Sequence, residues 1–295
     1  MKIKTIGFIP NKDKKDIDRI SSTIFETFEK KKVKFHIDSS FGESFPKIAN
    51  AFKDHLLNLS SFKDNVDLIA TIGGDGTLLS SAKLALEYDI PIVGINYGKL
   101  GFLSEIDYAE TETLANDLIN DRVVIKERMI LEATTEKKET FYGVNDIVID
   151  KNGWPKVIDI SIFADNNFVC KFIADGIIVS TPVGSTGYSL SVGGPVITPD
   201  AEVICLAPIS PHSLTIRPIV FSTDYLIKVA AISPHPRIQL NCDGQHIIHL
   251  SSPAEVEIKK SKKKLKLALL ESSNYFKILR EKLYWGLDFR KENKL

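Results

Sequence analysis

The apolar residues of this chain follow two different patterns, and the change comes near residue 125. In the first part, short apolar runs alternate with longer stretches in which apolar residues recur at helical spacing. Strands that alternate with helices form parallel sheets covered by helices. This part therefore predicts a doubly wound α/β domain. The runs are 6–9, 66–72 and 90–95, and the helical stretches include 17–28 and 78–86.

After this point the chain consists of short β-rich runs separated by turn residues. Asn152-Gly153 and Asp243-Gly244 are typical turn sequences. Short runs joined by tight turns favour antiparallel pairing, so this part predicts a β-rich, β-sandwich-like domain. The runs are 128–134, 140–150, 157–164, 167–174, 176–181, 225–231, 237–242 and 255–260.

The last part of the chain regains apolar residues at helical spacing, between 272 and 290. Its side chains, among them Tyr275 and Leu279, are sufficient to cover an apolar surface. The sequence thus predicts three segments, the last of which returns to pack on the first. They are an α/β domain over 1–126, a β-rich domain over 127–265 and a C-terminal segment over 266–295.

The composition is that of a globular protein, with 43% hydrophobic and 26% charged residues over a length of 295. Basic and acidic side chains balance at 38 each, so no net field attracts nucleic acid or an anionic membrane. Three cysteines without a C-x-x-C pair are typical of reduced thiols. The start of the sequence is too polar for a signal sequence. We therefore expect a cytoplasmic protein with no nucleic-acid or membrane partner.

The stretch TIGGDGTLL at 71–79 places one carboxylate, Asp75, among three glycines. The loop follows a buried run and precedes a helical stretch, where free backbone N–H groups bind anions such as phosphate. No lysine follows the glycines as it does in a P-loop. Beside phosphate, a carboxylate is costly unless it holds a metal ion, accepts a hydroxyl proton or bonds the loop's own amides. Asp75 is therefore a candidate reacting group; alternatively, it caps the following helix.

Two further patches combine glycine with polar side chains. Residues 173–198 contain an Asp-Gly turn at Asp175, a strand, and a segment rich in hydroxyls and glycines. This composition suits ribose, phosphate or an adenine edge, and the Asp175 carboxylate suits a diol. Residues 143–146 read Gly-Val-Asn-Asp and place an amide beside a carboxylate. Taken singly, each patch is equally typical of a turn between strands.

Several motifs, in this order, resemble the NAD kinase family over nearly the whole chain. GGDGT alone is shared with diacylglycerol and sphingosine kinases, whereas the TPVGSTGYS block behind an Asp-Gly pair is highly specific. The resemblance implies transfer of the γ-phosphoryl group of ATP, or in some members of polyphosphate, to the 2′-hydroxyl of the adenosine ribose of NAD, giving NADP. The motifs are GGDGT (73–77), GINYGKLGFL (94–103), VND (144–146), ADGIIVSTPVGSTGYSLSVGGPVITP (174–199), PHSLTIRPIV (211–220) and DGQ (243–245).

The resemblance also implies roles for residues of this sequence. Asp75 is the catalytic residue and accepts the proton of the attacking 2′-hydroxyl. A divalent cation, Mg²⁺, arrives with ATP and bridges its phosphates; no residue is assigned as a metal ligand. The implied NAD contacts are Asp75, Gly76, Phe102, Asn145, Asp146, Lys156, Asp175, Thr186, Gly187, Tyr188, Ser189, Leu190, Ser191 and Gln245.

At three positions the sequence departs from the family pattern. Gly187 stands where Ala is usual, which loosens the loop without removing a hydrogen bond. Ile173 stands where many bacterial members have Arg, and so lacks that cation, while Asp146 keeps the charge of the commoner Glu on a shorter arm. Family members assemble as dimers or tetramers in which neighbouring subunits complete each site. We therefore expect a homodimer or homotetramer.

Two other functions stay open at this point. A lipid kinase of the diacylglycerol or sphingosine kinase type shares GGDGT and requires an apolar cleft, but the hydroxyl-rich block at 181–191 argues against it. A non-catalytic NAD(P)-binding regulator keeps the binding residues and lacks turnover. The favoured interpretation is the NAD kinase, with NAD and either ATP or polyphosphate as substrates.

Overall fold

The computed structural model describes residues 2–98 and 101–284. They divide into two compact units: the first contains the chain up to Glu127 and again from Lys266, and the second is Arg128–Leu265. The first unit alternates strands with helices, and the second is built mainly from strands. The predicted fold class, an α/β domain followed by a β-rich domain, is therefore confirmed.

The first unit begins with strands and helices in alternation. Its elements in chain order are β1 Thr5–Pro10, α1 Ile17–Lys30, β2 Lys34–Asp38, α2 Ser39–Ser44, α3 Pro46–Ala51, β3 Leu56–Leu57, α4 Phe62–Asn65, β4 Leu68–Gly73, α5 Asp75–Tyr88, β5 Ile92–Asn96, β6 Ile106–Asp107 and α6 Thr111–Ile119, with 3₁₀ turns at Lys53–His55, Leu59–Ser61 and Tyr108–Glu110.

The strands of this unit form a parallel sheet in the order β5-β4-β1-β2-β3, and β6 pairs with β5. In register, Ile6 of β1 lies opposite Leu68 of β4, and Ile69 lies opposite Ile92 of β5. Every residue of β4 is buried. A near-continuous apolar run is the pattern of a parallel strand covered on both faces, so β4 brings the following glycine loop to the carboxyl edge of the sheet.

Helix α1 packs against this sheet through one apolar face. Ile17, Ile20, Ile24 and Phe28 are buried and follow the helical period. The Phe28 ring meets the Phe8 ring edge-on, with centroids 5.0 Å apart. Such a pair adds about 0.5–1.5 kcal/mol to the burial of its apolar area. The loop that joins β1 to α1 is therefore held at both of its ends.

The second unit contains most of the remaining strands. In chain order the elements that follow are β7 Val124–Thr135, β8 Thr140–Gly143, β9 Asp146–Asp150, β10 Ile158–Ala164, β11 Asn167–Ala174, β12 Gly176–Ser180, a 3₁₀ turn Val183–Thr186, α7 Tyr188–Ser191, β13 Val203–Ile209, β14 Ile219–Ser222, β15 Ile227–Ile232, β16 Arg237–Cys242, β17 His246–Ser251 and β18 Ala254–Leu269.

These strands form two antiparallel layers. One has the order β11-β10-β15-β18 and also includes β7 and β8; the other has the order β14-β13-β12-β9-β16-β17. Ile160 and Val229 from the first layer share one core with Ile177 and Leu240 from the second. Two sheets that interdigitate across one apolar core form a β-sandwich, as the sequence predicts.

The C-terminal segment continues from β18 into the first unit, where Leu267 pairs with Ile92. Helix α8, Tyr275–Leu283, follows and is capped by Asn274, whose side chain accepts a hydrogen bond from the backbone N–H of Lys277 at 3.1 Å. Its Ile278 and Leu279 side chains are buried. The predicted helical stretch runs on to 290, and residues 285–290 lie outside the described part of the chain.

Candidate functional site

The glycine loop of the first unit joins β4 directly to α5. The helix begins at Asp75, three residues before the predicted helical stretch 78–86, and Gly74 is its N-cap residue. The Thr77 hydroxyl accepts a hydrogen bond from the backbone N–H of Gly74 at 3.4 Å. This bond is part of the cap at the N-terminus of the helix. The alternative that Asp75 caps its own helix is therefore wrong.

The Asp75 carboxylate accepts hydrogen bonds from three consecutive backbone amides of another loop. Oδ2 accepts from the N–H of Phe102 at 2.8 Å, and Oδ1 accepts from Leu103 at 3.1 Å and Ser104 at 2.8 Å. A Cβ atom on Gly101 would lie 1.8 Å from Oδ1. Glycine at 101 is thus what lets the loop come so close, and the three amides fix the orientation of the carboxylate.

Two glycines of the loop face open space. A Cβ on Gly76 would have no heavy atom of the described residues within 4 Å, and one on Gly74 would have a single neighbour, at 3.9 Å. By contrast, a Cβ on Gly73 would lie 2.2 Å from Oγ1 of Thr77. Packing therefore explains Gly73, whereas Gly74 and Gly76 leave room above the backbone for a ligand.

In the second unit the predicted strand 140–150 is divided into β8 and β9, and the residues between them form a turn. Asp243 holds this turn: Oδ2 of Asp243 accepts from the N–H of Val144 at 2.8 Å, and Oδ1 accepts from Asn145 at 2.6 Å and Asp146 at 3.1 Å. The structure thus gives Asp243 a positioning role that the sequence motifs did not indicate. Asp243 belongs to the DGQ motif, but the resemblance implies a ligand contact only for Gln245 of that motif.

The TPVGSTGYS block packs onto the same turn. The Thr181 hydroxyl donates to the carbonyl oxygen of Val144 at 2.7 Å, and its backbone N–H donates to that of Asn145 at 2.9 Å. A Cβ on Gly184 would lie 2.0 Å from the Asn145 carbonyl oxygen, so only glycine permits this approach. Two motifs that lie far apart in sequence are therefore brought together in one unit.

The side chain of Asn145 lies at the junction of these motifs. Its Oδ1 atom is buried and has no hydrogen-bond partner among the described residues. A Cβ atom added to Gly187 would lie 3.6 Å from the Nδ2 atom of Asn145 and 3.2 Å from the carbonyl oxygen of Gly184. Gly187 has φ −92° and so is not in the left-handed region that favours glycine. An alanine here would require the Gly184 carbonyl oxygen to move by a few tenths of an ångström.

Acidic groups surround Tyr188, which is half exposed. Burial raises the pKa of the Tyr188 hydroxyl, and the carboxylates of Asp150, Asp175 and Asp146 raise it further. Asp175 forms an ion pair with Lys151, with 2.6 Å between Oδ1 and Nζ. Burial, and secondarily the charge of Asp243, raises the pKa of Asp146 to about 7. The structure therefore brings Asp146, Asp175 and Tyr188 into one electrostatic environment.

The remaining predicted residues lie on local turns and on α7. Thr186 donates its hydroxyl hydrogen bond to the carbonyl oxygen of Val183 at 3.2 Å. Ser189 is buried, with its hydroxyl near the Cys205 thiol. Leu190 and Ser191 complete the short helix α7, and the side chains of Lys156 and Gln245 are exposed. Phe102 lies in the first unit, where the Lys282 ammonium stands 4.5 Å from its ring centroid.

Among the residues that the structure describes, no three His, Cys, Asp or Glu side chains are grouped so that they could hold a metal ion. Over the same residues, no helix combines the length and the apolar character needed to cross a membrane.

Comparison with known families gives matches to two domain models that together cover most of the chain. The ATP-NAD kinase N-terminal domain matches residues 6–123, and the ATP-NAD kinase C-terminal domain matches residues 144–270. The chain belongs to the NAD kinase family. The membership that the sequence motifs predict is confirmed.

Individual members of the NAD kinase family align over almost the full length. The NAD kinase of Chloroherpeton thalassium is 34% identical over 95% of this chain and 97% of its own length. That of Clostridium botulinum is 36% identical over 95% and 96% of the two chains. That of Natranaerobius thermophilus is 32% identical over 96% and 99%.

Two solved structures share the fold. Yeast NADH kinase, crystallised with NADH, superposes with a TM-score of 0.86 at 23% identity and covers 98% of this chain and 90% of its own. An Archaeoglobus fulgidus NAD kinase, crystallised with ATP, superposes with a TM-score of 0.72 at 24% identity and covers 95% and 97% of the two chains. At this level of identity the superpositions show the fold of the family.

Proposed function

We propose that this chain is an enzyme that transfers the γ-phosphoryl group of ATP to the 2′-hydroxyl of the adenosine ribose of NAD, giving NADP. The observation that carries the proposal is the match of both ATP-NAD kinase domain models, supported by relatives at 32–36% identity that are named NAD kinases. The lipid-kinase and non-catalytic alternatives are not favoured by these matches.

In this reaction Asp75 accepts a proton. As the 2′-oxygen forms a bond to the γ-phosphorus, the bond from that phosphorus to the β-γ bridging oxygen breaks and ADP leaves, while the hydroxyl proton passes to the carboxylate. The three amides at 102–104 orient the carboxylate and leave lone pairs on both of its oxygens. This geometry supports Asp75 as the base, because phosphoryl transfer depends mainly on positioning.

The second unit provides groups suited to the dinucleotide. The unpartnered Oδ1 atom of Asn145 accepts a hydrogen bond from an amino or hydroxyl group of the ligand. The carboxylates of Asp146 and Asp175 suit ribose hydroxyls. We assign further NAD contacts to Gly76 and Phe102 of the first unit and to Lys156, Thr186, Gly187, Tyr188, Ser189, Leu190, Ser191 and Gln245 of the second.

Further features of the proposal follow from the resemblance to the family. Mg²⁺ enters as part of the substrate, bound to the phosphates of ATP, and polyphosphate is a candidate second donor. We propose that the domains extend over 1–126 and 127–265 with the segment 266–295 added to the first, and that the protein works in the cytoplasm as a homodimer or homotetramer. Light scattering at micromolar concentration tests the assembly; a monomer would contradict it.

The test of the function is the formation of NADP. Purified protein is incubated with ATP, Mg²⁺ and NAD, and NADP is measured with an NADP-specific dehydrogenase. Parallel reactions replace ATP by polyphosphate, NAD by NADH, and NAD by diacylglycerol or a sphingoid base. Turnover with NAD or NADH supports the proposal. Binding of NAD without any turnover would identify the regulator instead, and phosphorylation of the lipid alone would identify the lipid kinase.

A further inference from the structure

Lys14 reaches the glycine loop from another part of the first unit. It lies in the loop between β1 and α1, and its ammonium group donates a hydrogen bond to the carbonyl oxygen of Tyr97 at 2.5 Å. The same group stands 5.8 Å from the centroid of the Tyr97 ring. The side chain is partly buried. These contacts hold a cation at one place beside the loop.

The Lys14 ammonium is the neighbour of the open glycines. Apart from atoms of the adjoining residues, its Nζ atom is the one described heavy atom within 4 Å of a Cβ placed on Gly74, at 3.9 Å. It lies 3.6 Å from a Cβ placed on Gly98. Gly98 has φ +131°, which side-chain-bearing residues rarely adopt. Among the described residues, and apart from the adjoining ones, Lys14 thus supplies the one side chain beside these two glycines, and it carries a positive charge.

The charge of Lys14 is available for a ligand. Among the described residues, Lys14 forms no salt bridge, and its one side-chain hydrogen bond uses a single donor of the three that an ammonium carries. Asp75, the acid of the glycine loop, is bonded to the amides of 102–104. An ammonium that is held in place without a carboxylate partner is a binding group for an anion.

The loop that carries Lys14 is itself anchored to the glycine loop. The Asn11 side chain donates from Nδ2 to the Thr77 hydroxyl at 2.9 Å, and the Asn11 backbone N–H donates to the Ile72 carbonyl oxygen at 2.9 Å. The N–H of Lys14 donates back to the carbonyl oxygen of Asn11 at 3.4 Å. Lys14 is therefore positioned before any ligand arrives, which reduces the entropic cost of binding.

We propose that Lys14 binds the terminal phosphates of the phosphoryl donor above Gly74, and so takes the part that the lysine of a P-loop plays in other nucleotide-binding loops. The inference rests on the proposed function for the identity of the donor. Its chemistry is that of a phosphate chain: a lysine ammonium acts as a point charge on phosphate oxygens and contributes nothing specific for adenine.

The experiment compares Lys14→Gln and Lys14→Arg with two control variants, Lys12→Gln and Lys15→Gln, whose side chains are exposed in the same loop. We expect Lys14→Gln to raise the KM for Mg-ATP at least tenfold, to leave the KM for NAD within twofold and to keep the wild-type melting temperature. Lys14→Arg keeps the charge and restores part of the affinity. Both controls behave as wild type.

A binding measurement separates this inference from the proposed function. Calorimetry with a non-hydrolysable ATP analogue measures binding of the donor without turnover. Competition by inorganic tripolyphosphate or by adenosine then shows whether the phosphates or the nucleoside account for that binding. Loss of analogue binding in Lys14→Gln supports the inference even if no NADP forms. The inference would be overturned if Lys14→Gln bound the analogue with wild-type affinity, or if the control variants lost as much affinity. It would also be overturned if adenosine competed and tripolyphosphate did not, or if the wild type did not bind the analogue.

Discussion

Asp75 in the first unit and Asp243 in the second make the same arrangement. Each carboxylate accepts hydrogen bonds from three consecutive backbone amides, those of 102–104 for Asp75 and those of 144–146 for Asp243. Three charge-assisted hydrogen bonds fix both the acid and the loop that it holds. The hydrogen bonds alone therefore do not show whether the carboxylate or the loop it holds contacts the ligand.

The surroundings of the two acids differ. Asp75 stands beside glycines that leave open space, whereas Asp243 lies beside a second carboxylate, Asp146, whose pKa is raised to about 7. Burial also raises the pKa of Asp243, against the effect of its three amide hydrogen bonds. We infer that the first carboxylate is the working group and that the second serves to position the turn with Asn145 and Asp146.

The largest expected effect is on turnover in Asp75→Asn. Loss of the proton acceptor lowers kcat by about 10²–10⁴-fold, the usual contribution of a general base, while NAD still binds. Steady-state kinetics and NAD titration measure the two quantities. The control is Asp64→Asn, an exposed acid of the same unit. A kcat close to that of the wild type would remove Asp75 as the base.

The next effect concerns pH and Asp146. Because its folded-state pKa is raised from 3.8 to about 7, the folded state resists ionisation that the unfolded state allows. The contribution of the Asp146 carboxyl to the free energy of unfolding is fully present below about pH 4. It is lost as the pH rises to about 7, which lowers the free energy of unfolding by up to roughly 4 kcal/mol. Asp146→Asn should flatten this slope in denaturant unfolding between pH 5 and 8. An unchanged slope would show that Asp146 ionises normally in the folded protein.

Asp243→Ala tests the positioning role directly. The variant leaves three amides of the turn without their acceptor but also removes the repulsion of Asp146, so we expect a net destabilisation of about 2 kcal/mol at neutral pH. In the Asp146→Asn background there is no repulsion between the two carboxylates for Asp243→Ala to remove. The loss of stability should therefore be greater there. Equal losses in the two backgrounds, measured by urea unfolding, would show that the two acids do not interact.

The smallest expected effect is on stability, and it comes from replacing glycines near Asp75 in the first unit. Gly101→Ala forces the 102–104 loop away from Asp75, and we expect a loss of about 1–3 kcal/mol in stability, as for overpacking. The Cβ of Gly76→Ala meets no side chain among the described residues apart from its chain neighbours, and this variant should remain within about 1 kcal/mol of the wild type. Thermal unfolding of both variants is the measurement. Similar melting temperatures for the two would show that Asp75 does not need the close approach of Gly101.

Much of the fold could be predicted because its signals are local. The buried run ending at Ile72 and the helical spacing that follows it locate the glycine loop between β4 and α5. The antiparallel pairing of the second unit follows from short runs and turn residues. The β-rich runs do not include β13, β14 and β17. They join β8 to β9, since Val144 and Asn145 continue the apolar and polar pattern across the turn between them.

The amino-acid sequence by itself determined the family, the change from an α/β part to a β-rich part and the candidate acid Asp75. Only the tertiary structure decided what that acid contacts, because its amide partners lie 27–29 residues further along the chain. The same holds for Asp243, which is 97–99 residues from the turn it positions. Propensity and hydrophobic period reflect interactions within a few residues, whereas these hydrogen bonds form only when separate loops meet in the folded unit.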